Sequence, residues 1–149
     1  MTDNRLRDKA LRLLAQREHS RFELSRKLAP WGEAAHIAAT LDRLAELDLQ
    51  SDARFAAAWV RSKHQRFGTA RLRHDLAQRG VAPELIEEAL AAEATDHDID
   101  RARAIWQAKF GTPAQDRREW ARQARFLQGR GFSTSVIRTL LKENPDESA

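Results

Sequence analysis

The candidate functional residues of this chain are mainly arginines, and the function that their side chains suit is the binding of anions. Arg118, Arg122 and Arg125 follow one another at i, i+4 and i+7, so a helix would carry them on one face, with Arg117 and Arg130 flanking it. Guanidinium groups bind both phosphates and carboxylates through paired hydrogen bonds. The stripe therefore predicts a surface for a polyanion or for an acidic protein groove, and the pattern does not separate these two partners.

A second basic cluster surrounds a predicted turn at Phe67-Gly68. Its members are Arg61, Lys63, Arg66, Arg71 and Arg73. Charge is also segregated along the chain: residues 51–82 hold seven Lys or Arg against two acidic residues, 83–100 hold seven acidic residues and no Lys or Arg, and 101–142 hold ten basic against two acidic residues. Such segregation indicates an anionic partner, although charged helices also need solvated faces.

Tryptophans offer a second kind of contact, because an exposed indole can stack on a nucleic-acid base. Trp59 and Trp106 stand at helical spacing from other apolar residues and are predicted to lie in the core. Trp31, beside a turn, and Trp120, in an arginine-rich helix, are the better candidates for exposed contacts. Burial remains the expectation for both, since large aromatic side chains mostly bury.

Patterns for catalysis or metal binding are weak. The histidines are scattered, with no ligand-like pair at i and i+4: His19, His36, His64, His74 and His97. Cysteine is absent, which excludes disulfides and thiolate chemistry. The segment Asp96-His97-Asp98-Ile99-Asp100 resembles the start of a calcium loop, but Arg101 and Gln107 stand where that loop needs Gly and Glu, so we interpret it as an acidic helix start. We expect no enzymatic activity, cofactor or metal.

A pattern that occurs three times determines how these residues are positioned. A leucine, three residues and a glycine recur at Leu28–Gly32, Leu76–Gly80 and Leu127–Gly131, each before an apolar helical pattern. The glycines are 48 and 51 residues apart, and a period near fifty residues predicts a tandem array of small helical units. We expect all three glycines to hold a positive φ at the end of a helix.

Apolar spacing follows the helical period throughout, no stretch alternates as a strand, and nine helices are predicted. Ser20 and Glu23 form a capping box for the second helix, Pro83 fits the first turn of the sixth, and Ser133 caps the ninth. In the eighth helix, the face opposite the arginines is expected to be buried through Trp120, Ala124 and Leu127.

Weaker signals give the remaining helix boundaries. The fourth helix is expected to run from Ser51 or Asp52 to near Phe67-Gly68, and Thr69 to cap the fifth. Thr95 or Asp96 is expected to cap the seventh helix, and Thr112-Pro113 to open the eighth.

The helices group into three units of three, which we predict to be residues 1–49, 50–94 and 95–143, followed by a disordered acidic tail at 144–149. The connections are too short and too poor in Gly and Ser to be floppy linkers. The expected fold is all-α, with three tandem three-helix repeats that form an elongated, curved body. We expect a monomer in the cytoplasm without membrane contact, because no apolar run is long enough to cross a bilayer.

Each unit also carries a longer motif of mixed polar and apolar residues. The first has Arg17-x-x-Ser20-x-x-Glu23-Leu24-x-x-Lys27-Leu28, the second has Asp52-x-Arg54-Phe55-Ala56 followed by Val60-Arg61, and the third has Lys109-Phe110-Gly111 and Arg125-Phe126-Leu127-x-x-Arg130-Gly131-Phe132-Ser133. Over about residues 10–142, this combination resembles the RecX family of recombination regulators.

The resemblance implies a cytoplasmic, non-enzymatic protein of three tandem three-helix units. It implies a RecA recombinase filament as partner, bound on single-stranded DNA, whose ATP hydrolysis and strand exchange are inhibited in recombination and DNA repair. Direct contact with single-stranded DNA is a second candidate interaction. The alternative is a free-standing nucleic-acid-binding module that acts independently of RecA.

A helix-turn-helix around Gly80 is the weaker form of that alternative. Glu84, Glu87 and Glu88 open the second helix of the pair and would be repelled by DNA phosphates. Sequence-specific reading of duplex DNA is therefore not favoured.

Overall fold

The computed structural model of the chain describes residues 2–142, and every regular element in that range is helical. The helices are α1 (Thr2–Gln16), α2 (Arg21–Leu28), α3 (Ala34–Glu46), α4 (Asp52–Lys63), α5 (Thr69–Gln78), α6 (Pro83–Glu93), α7 (Asp98–Lys109), α8 (Arg117–Gly129) and α9 (Thr134–Leu141), with a short 3₁₀ helix at Ala29–Trp31. The all-α class predicted from sequence is thus confirmed. The predicted acidic tail at 144–149 lies outside the described residues.

The chain forms two compact units. Unit 1 contains the residues up to 59 together with 75–89, and unit 2 contains 60–74 together with the residues from 90 onward. The division passes through α4, α5 and α6. The repeat boundaries at 1–49, 50–94 and 95–143 stay a prediction.

Unit 1 has an aliphatic core where α1, α2 and α3 pack on one another. Its buried members are Leu6, Ala10, Leu24, Leu28, Ile37, Leu41 and Leu44. They recur every three or four residues along each helix, so each helix turns one apolar stripe inward. Burying one leucine side chain contributes about 1.5–3 kcal/mol, so these few residues account for much of the stability of this bundle.

The start of α2 has the predicted capping box. The Ser20 Oγ accepts the backbone N–H of Glu23 at 3.0 Å, and the Glu23 carboxylate accepts the N–H of Ser20 at 3.1 Å. The Ser20 hydroxyl also donates to the carbonyl of Arg79 at 2.8 Å, so the cap holds α2 to the end of α5 within unit 1. Burial raises the pKa of Glu23, but hydrogen bonds from Arg17 and from the Ser20 backbone outweigh it, and the net pKa is lowered.

His19 precedes this cap and is buried, with 1% of its surface exposed. Its Nδ1 lies 3.0 Å from the carbonyl oxygen of Arg17. Because a carbonyl only accepts, Nδ1 carries the proton, and Nε2 is the acceptor that faces the Lys27 ammonium at 3.4 Å. Burial lowers the pKa of His19, and the positive charges of Arg17 and Lys27 lower it further, so the imidazole is held neutral.

Unit 2 has a more aromatic core between α7, α8 and α9. Its buried members are Ala102, Leu127, Phe132 and Ile137, with partly buried Ile105, Trp106, Ala124, Phe126, Val136, Leu140 and Leu141 around them. The amide of Gln123 is buried among them, where its oxygen accepts the indole N–H of Trp106 at 2.8 Å and its nitrogen donates to the carbonyl of Thr112 at 3.1 Å. A buried amide satisfied in this way orients its neighbours without a large desolvation cost.

The acidic segment before α7 does not form a calcium loop. Asp96 and Asp98 both bind the guanidinium of Arg101, which is 3% exposed. Asp98 also accepts the hydroxyl of Thr69 at 2.7 Å, which joins the start of α5 to the start of α7. No group of three or more His, Asp or Glu in the described part of the chain is arranged to hold a metal ion.

Two predicted helix starts were wrong for local reasons. α7 begins at Asp98 with His97 as N-cap, not after Thr95 or Asp96, because the Asp96 carboxylate binds Arg101. α8 begins only at Arg117. The Asp116 carboxylate accepts the N–H of Glu119 at 2.8 Å, which makes it the cap in place of Thr112-Pro113.

The turn between α4 and α5 also differs from prediction. α4 begins at Asp52, as expected, but ends at Lys63, before Phe67-Gly68. α5 begins at Thr69, and the carbonyl of Gly68 accepts the N–H of Leu72 at 3.2 Å, so Gly68 rather than Thr69 occupies the cap position. The predicted start of α6 at Pro83 and the cap of α9 by Ser133 are confirmed.

The three shared turns do not have one backbone conformation. Gly80 and Gly131 hold φ values of 79° and 94°, as predicted. Gly32 has a φ of −170°, an extended conformation open to any residue, so the predicted positive φ is wrong there. Pro30 is the reason, because α2 continues into a 3₁₀ turn at Ala29–Trp31 and ends without a left-handed residue.

Candidate anion-binding surface

A contact between two glycine turns brings the two predicted basic clusters together within unit 2. The N–H of Gly68 donates to the carbonyl of Arg130 at 2.7 Å. A Cβ added to Gly68 would lie 2.4 Å from the carbonyl oxygen of Gly131, and a Cβ added to Gly131 would lie 2.2 Å from the Cβ of Arg71. Because no side chain fits at these distances, the turns can touch only while both positions are glycine.

Phe67 lies between two arginines as a result of this contact. The guanidinium of Arg71 is 4.7 Å from the centroid of the ring, and that of Arg130 is 5.5 Å from it. Arg130 also donates to the carbonyl of Arg66 at 3.3 Å, and Arg71 donates to the carbonyl of Gly129 at 3.0 Å. The guanidinium groups of Arg71 and Arg130, which are far apart in sequence, therefore lie against one ring, beside the backbone of Arg66.

The contacts continue along α8 as alternating rings and cations. Arg130 lies 5.1 Å from the Phe126 ring, which meets the Phe110 ring edge-on with centroids 5.4 Å apart. Lys109 lies 5.4 Å from Phe126, and Arg122 lies 5.1 Å from Phe110. We call this series the cation–aromatic ladder, formed by Phe67, Phe110, Phe126, Arg71, Lys109, Arg122 and Arg130.

The ladder is well suited to binding anions. A guanidinium held face-on against a ring keeps N–H donors along its edge, where a phosphate or a carboxylate can bind. Since the ring restricts the side chain beforehand, less conformational entropy is lost on binding. The same planar groups can stack on bases, so the chemistry of the ladder fits both partners left open by the sequence.

One cation of the ladder already has a carboxylate of the chain as its partner. Arg122 donates from Nε and Nη2 to the two oxygens of Glu119 at 2.9 and 3.0 Å. This hydrogen bonding lowers the pKa of Glu119 and raises the pKa of Arg122. The pair lies in solvent, so a partner's anion could replace Glu119 at little cost.

The arginine stripe of α8 faces solvent, as predicted. Arg117, Arg118, Arg122 and Arg125 are all exposed. On the opposite face Leu127 is buried, while Trp120 and Ala124 are half-buried. The most buried polar residue of that face is Gln123, which the sequence did not single out.

The remaining predicted site residues lie on α4 and α5. Arg61 donates to Glu93 at 3.0 Å, so a carboxylate of the same unit already offsets its charge. Lys63 is half-buried and Arg73 is exposed. Of the original cluster around Phe67-Gly68, Arg71 belongs to the ladder, and Arg66 contacts it through its backbone carbonyl, which accepts from Arg130.

Sequence reasoning missed the rings of the ladder and Lys109. A signal was present for α8, because Arg122, Phe126 and Arg130 stand at i, i+4 and i+8 and must share one face of a helix. No comparable signal marked Phe67, since its position between Arg71 and Arg130 depends on the contact of two turns distant in sequence.

The tryptophans divide differently from prediction. Trp59, Trp106 and Trp120 are half-buried at the edges of their bundles. Trp31, for which burial was expected, is 50% exposed. It therefore remains available as a contact residue.

Two further observations bear on the partner. Glu84, Glu87 and Glu88 are exposed on α6, which makes that helix a poor reader of duplex DNA. In the part of the chain that the structure describes, no helix has both the length and the apolar character needed to cross a membrane.

Structural similarity extends over almost the whole chain. The crystal structure of RecX from Lactobacillus salivarius has a TM-score of 0.75 at 20% identity and covers 95% of both chains. A second crystal structure, of a regulatory protein RecX, has a TM-score of 0.77 at 21% identity and covers 95% of this chain and 72% of the other. At these identities the likeness shows the fold.

Sequence similarity is closer. Family models match residues 7–44 as the first, 51–90 as the second and 96–141 as the third three-helix domain of RecX. Regulatory protein RecX of Leptothrix cholodnii is 46% identical over 138 residues, which is 92% of this chain and 87% of the relative. Regulatory protein RecX of Chromobacterium violaceum is 43% identical over 143 residues, which is 95% of this chain and 92% of the relative. The chain belongs to the RecX family.

Proposed function

We propose that this protein regulates recombination by binding the RecA filament on single-stranded DNA and inhibiting its ATP hydrolysis and strand exchange. Its relatives carry the name regulatory protein RecX, which supports a regulatory role. In this proposal the protein acts in the cytoplasm as a monomer, has no catalytic residues of its own, and exerts its effect through binding alone.

The observation that carries the proposal is a group of cations on unit 2 that no carboxylate of the described residues neutralises. Among the described residues, the guanidinium groups of Arg66, Arg118, Arg125 and Arg130 contact no carboxylate. Arg61 and Arg103 of unit 2, by contrast, are paired with Glu93 at 3.0 Å and Asp100 at 3.2 Å. Like charges gathered on one surface repel, so an anionic partner is the natural reason to keep them together.

A filament suits this surface because it repeats the same anionic groups at regular intervals. One exposed charge contact contributes only about 0.2–1 kcal/mol. Several such contacts from one rigid unit add up through avidity, so binding becomes strong only where many anions are arranged in register. A protein that binds one conformation of the filament more tightly than another then opposes the changes that the ATPase cycle requires.

The first experiment compares binding to bare single-stranded DNA with binding to the same strand coated by RecA. We expect markedly tighter binding to the coated strand, because it adds acidic protein surface to the phosphates. Equal affinity for both would show that the protein is a free-standing nucleic-acid-binding module instead.

The second experiment removes cations from the ladder's surroundings. Arg66→Gln, Arg118→Gln and Arg125→Gln are combined, and each variant's inhibition of RecA-dependent ATP hydrolysis is measured over a range of salt concentrations. At about 0.5 kcal/mol for each contact, the triple variant should require roughly tenfold more protein for the same inhibition, with a shallower salt dependence.

The matched control removes three exposed cations that already have carboxylate partners. Arg7→Gln, Arg43→Gln and Arg103→Gln delete the same net charge, and their partners are Asp8, Glu46 and Asp100. The control should inhibit as the parent does. If both triple variants lose inhibition equally, only overall charge matters and the unit 2 surface is not the contact site.

A further inference from the structure

Unit 1 carries a basic stripe of its own on α1. Arg5, Lys9 and Arg12 stand at i, i+4 and i+7 and share one face of the helix. Arg5 and Arg12 are exposed, and in the described part of the chain neither guanidinium contacts a carboxylate. Asp8, at the edge of the stripe, pairs with Arg7 at 3.6 Å.

The stripe borders the exposed tryptophan. The Lys9 ammonium lies 4.4 Å from the centroid of the Trp31 ring. Trp31 is 50% exposed, more than any other large hydrophobic side chain that the structure describes. Pro30 stiffens the 3₁₀ turn beneath it, and a Cβ on Gly32 would lie 3.0 Å from Leu6, so the turn rests closely on α1. The indole is therefore held in place with part of its surface open to solvent.

Most other arginines of unit 1 are paired with carboxylates. Arginines paired with carboxylates within 3.2 Å are Arg17 with Glu23, Arg21 with Asp42, Arg43 with Glu46, and Arg54 with Glu18. Among the described residues, Arg26 of unit 1 also lacks a carboxylate partner, but it lies against the Phe22 ring at 5.7 Å. Arg5 and Arg12 lack such partners beside Trp31, whose indole is exposed.

We propose that Trp31, Arg5, Lys9 and Arg12 form a binding site for single-stranded nucleic acid, in which a base stacks on the indole and the cations bind the phosphates. Interleaved aromatic and basic side chains are the usual means of binding a single strand without sequence preference. An acidic peptide would satisfy the cations equally well but would leave the indole without a planar partner. This site uses residues of unit 1, none of which belongs to the ladder, and it goes beyond the proposed function, because it binds the strand itself without a recombinase.

The test uses the full-length protein and a labelled oligo(dT), with no RecA present. Trp31→Phe should lower the affinity on the order of fivefold and Trp31→Ala on the order of tenfold, since stacking of one base contributes about 1–3 kcal/mol. The oligonucleotide should quench tryptophan emission in the parent, and most of that quenching should disappear in Trp31→Phe because the other three indoles are half-buried.

The cations are tested by the salt dependence of the same binding. Arg5→Gln with Arg12→Gln should reduce the slope of log affinity against log salt by about 1.4, which is roughly 0.7 for each phosphate contact. Arg21→Gln with Arg43→Gln is the matched control, because it removes the same charge from paired arginines of unit 1 outside α1 and should leave affinity nearly unchanged.

Three outcomes would overturn the proposal. Quenching that is unchanged in Trp31→Phe would show that no base reaches the indole. Equal losses of affinity in the two double variants would show that the stripe contributes only through the overall charge of the protein. Polyglutamate that competes with oligo(dT) as well as unlabelled oligo(dT) would assign the surface to an acidic protein. None of these results bears on the filament proposal, which the unit 2 variants and RecA ATPase assays test separately.

Discussion

The turns at Leu28–Gly32 and Leu127–Gly131 share a leucine, three intervening residues and a glycine, yet they do different things. In the first, Pro30 extends the helix into a 3₁₀ turn, Gly32 is extended, and Trp31 is left in solvent. In the third, Gly131 has a φ of 94° and lies against the backbone of Arg71. The shared pattern specifies where a helix stops, and the residues inside it decide whether the turn displays a side chain or joins another turn.

The largest effect is expected from Gly131→Ala. A Cβ there would lie 2.2 Å from the Cβ and 2.6 Å from the backbone nitrogen of Arg71, and an alanine would also have to adopt a positive φ. Overpacking and strain together should lower the free energy of unfolding by about 3 kcal/mol or more, measured by urea denaturation. A loss below about 1 kcal/mol would mean that the Gly68 and Gly131 turns can separate freely. The difference drawn above between the Leu28–Gly32 and Leu127–Gly131 turns would then be wrong.

A somewhat smaller effect is expected from Gly80→Val in the second turn. Gly80 has a φ of 79°, and its Cβ would lie 2.5 Å from the Cβ of Phe22. The nearest atoms to it belong to the Phe22 side chain, at 2.5 Å or more, whereas at Gly131 two of the three nearest atoms are backbone atoms of Arg71, so the clash at Gly80 is the less severe one. The expected loss is about 2 kcal/mol in a thermal or urea melt. A melting curve like that of the parent would show that this turn is not constrained by its glycine.

Mild acid should destabilise the helix that leads into the Leu28–Gly32 turn more than the helix that leads into the Leu127–Gly131 turn. α2 begins beside the buried His19, whereas α8 begins at the exposed cap Asp116. The pKa of His19 is lowered by burial and by the charges of Arg17 and Lys27, with Glu23 opposing them. The unfolded chain therefore binds a proton before the folded chain does.

The neutral imidazole therefore stabilises the folded protein fully above about pH 6.5, the pKa of an unfolded histidine. This stabilisation is lost as the pH falls toward the lower pKa of the folded state. The effect should be smaller than that of either glycine substitution. It is measured as the difference in unfolding free energy between neutral and mildly acidic buffer, and His19→Gln should reduce that difference. If His19→Gln keeps the full pH dependence, the acid sensitivity comes from other groups.

The smallest effect is expected from Gly32→Ala. Any residue adopts a φ of −170°, and the added Cβ would meet only the ends of the flexible Leu6 side chain, at 3.0 and 3.2 Å. The free energy of unfolding should change by no more than about 0.5 kcal/mol. A loss as large as that for Gly131→Ala would mean that the two turns are equivalent after all.

Local sequence was enough to predict much of the fold. The order of the helices, the cap by Ser20, the proline at Pro83 and the cap by Ser133 follow from interactions within a few residues, and the structure confirms them. The starts of α7 and α8 were mistaken because Asp96 is engaged by Arg101 and because Asp116 is a stronger cap than Thr112. Both errors arose where more than one nearby residue was a candidate for the N-cap of the helix.

The candidate site was predictable only in part. The exposure of Arg118, Arg122 and Arg125 follows from helical spacing, and the structure places all three in solvent. The gathering of Arg71 and Arg130 against Phe67 does not follow from spacing, because it requires a contact between turns more than fifty residues apart. Propensity and periodicity act over a few residues and carry no information about such a pair.

By itself, the sequence determined that this is an all-helical member of the RecX family, and it predicted the arginines that are the candidates for binding anions. Helical periodicity, caps and motifs depend on residues that are close in sequence, so they can be identified without knowing how the helices pack. Only the tertiary structure decided which arginines act together, because Gly68 and Gly131 must meet before the ladder exists. It also decided that Trp31 is exposed beside the α1 stripe, since burial depends on which surfaces the remainder of the chain covers.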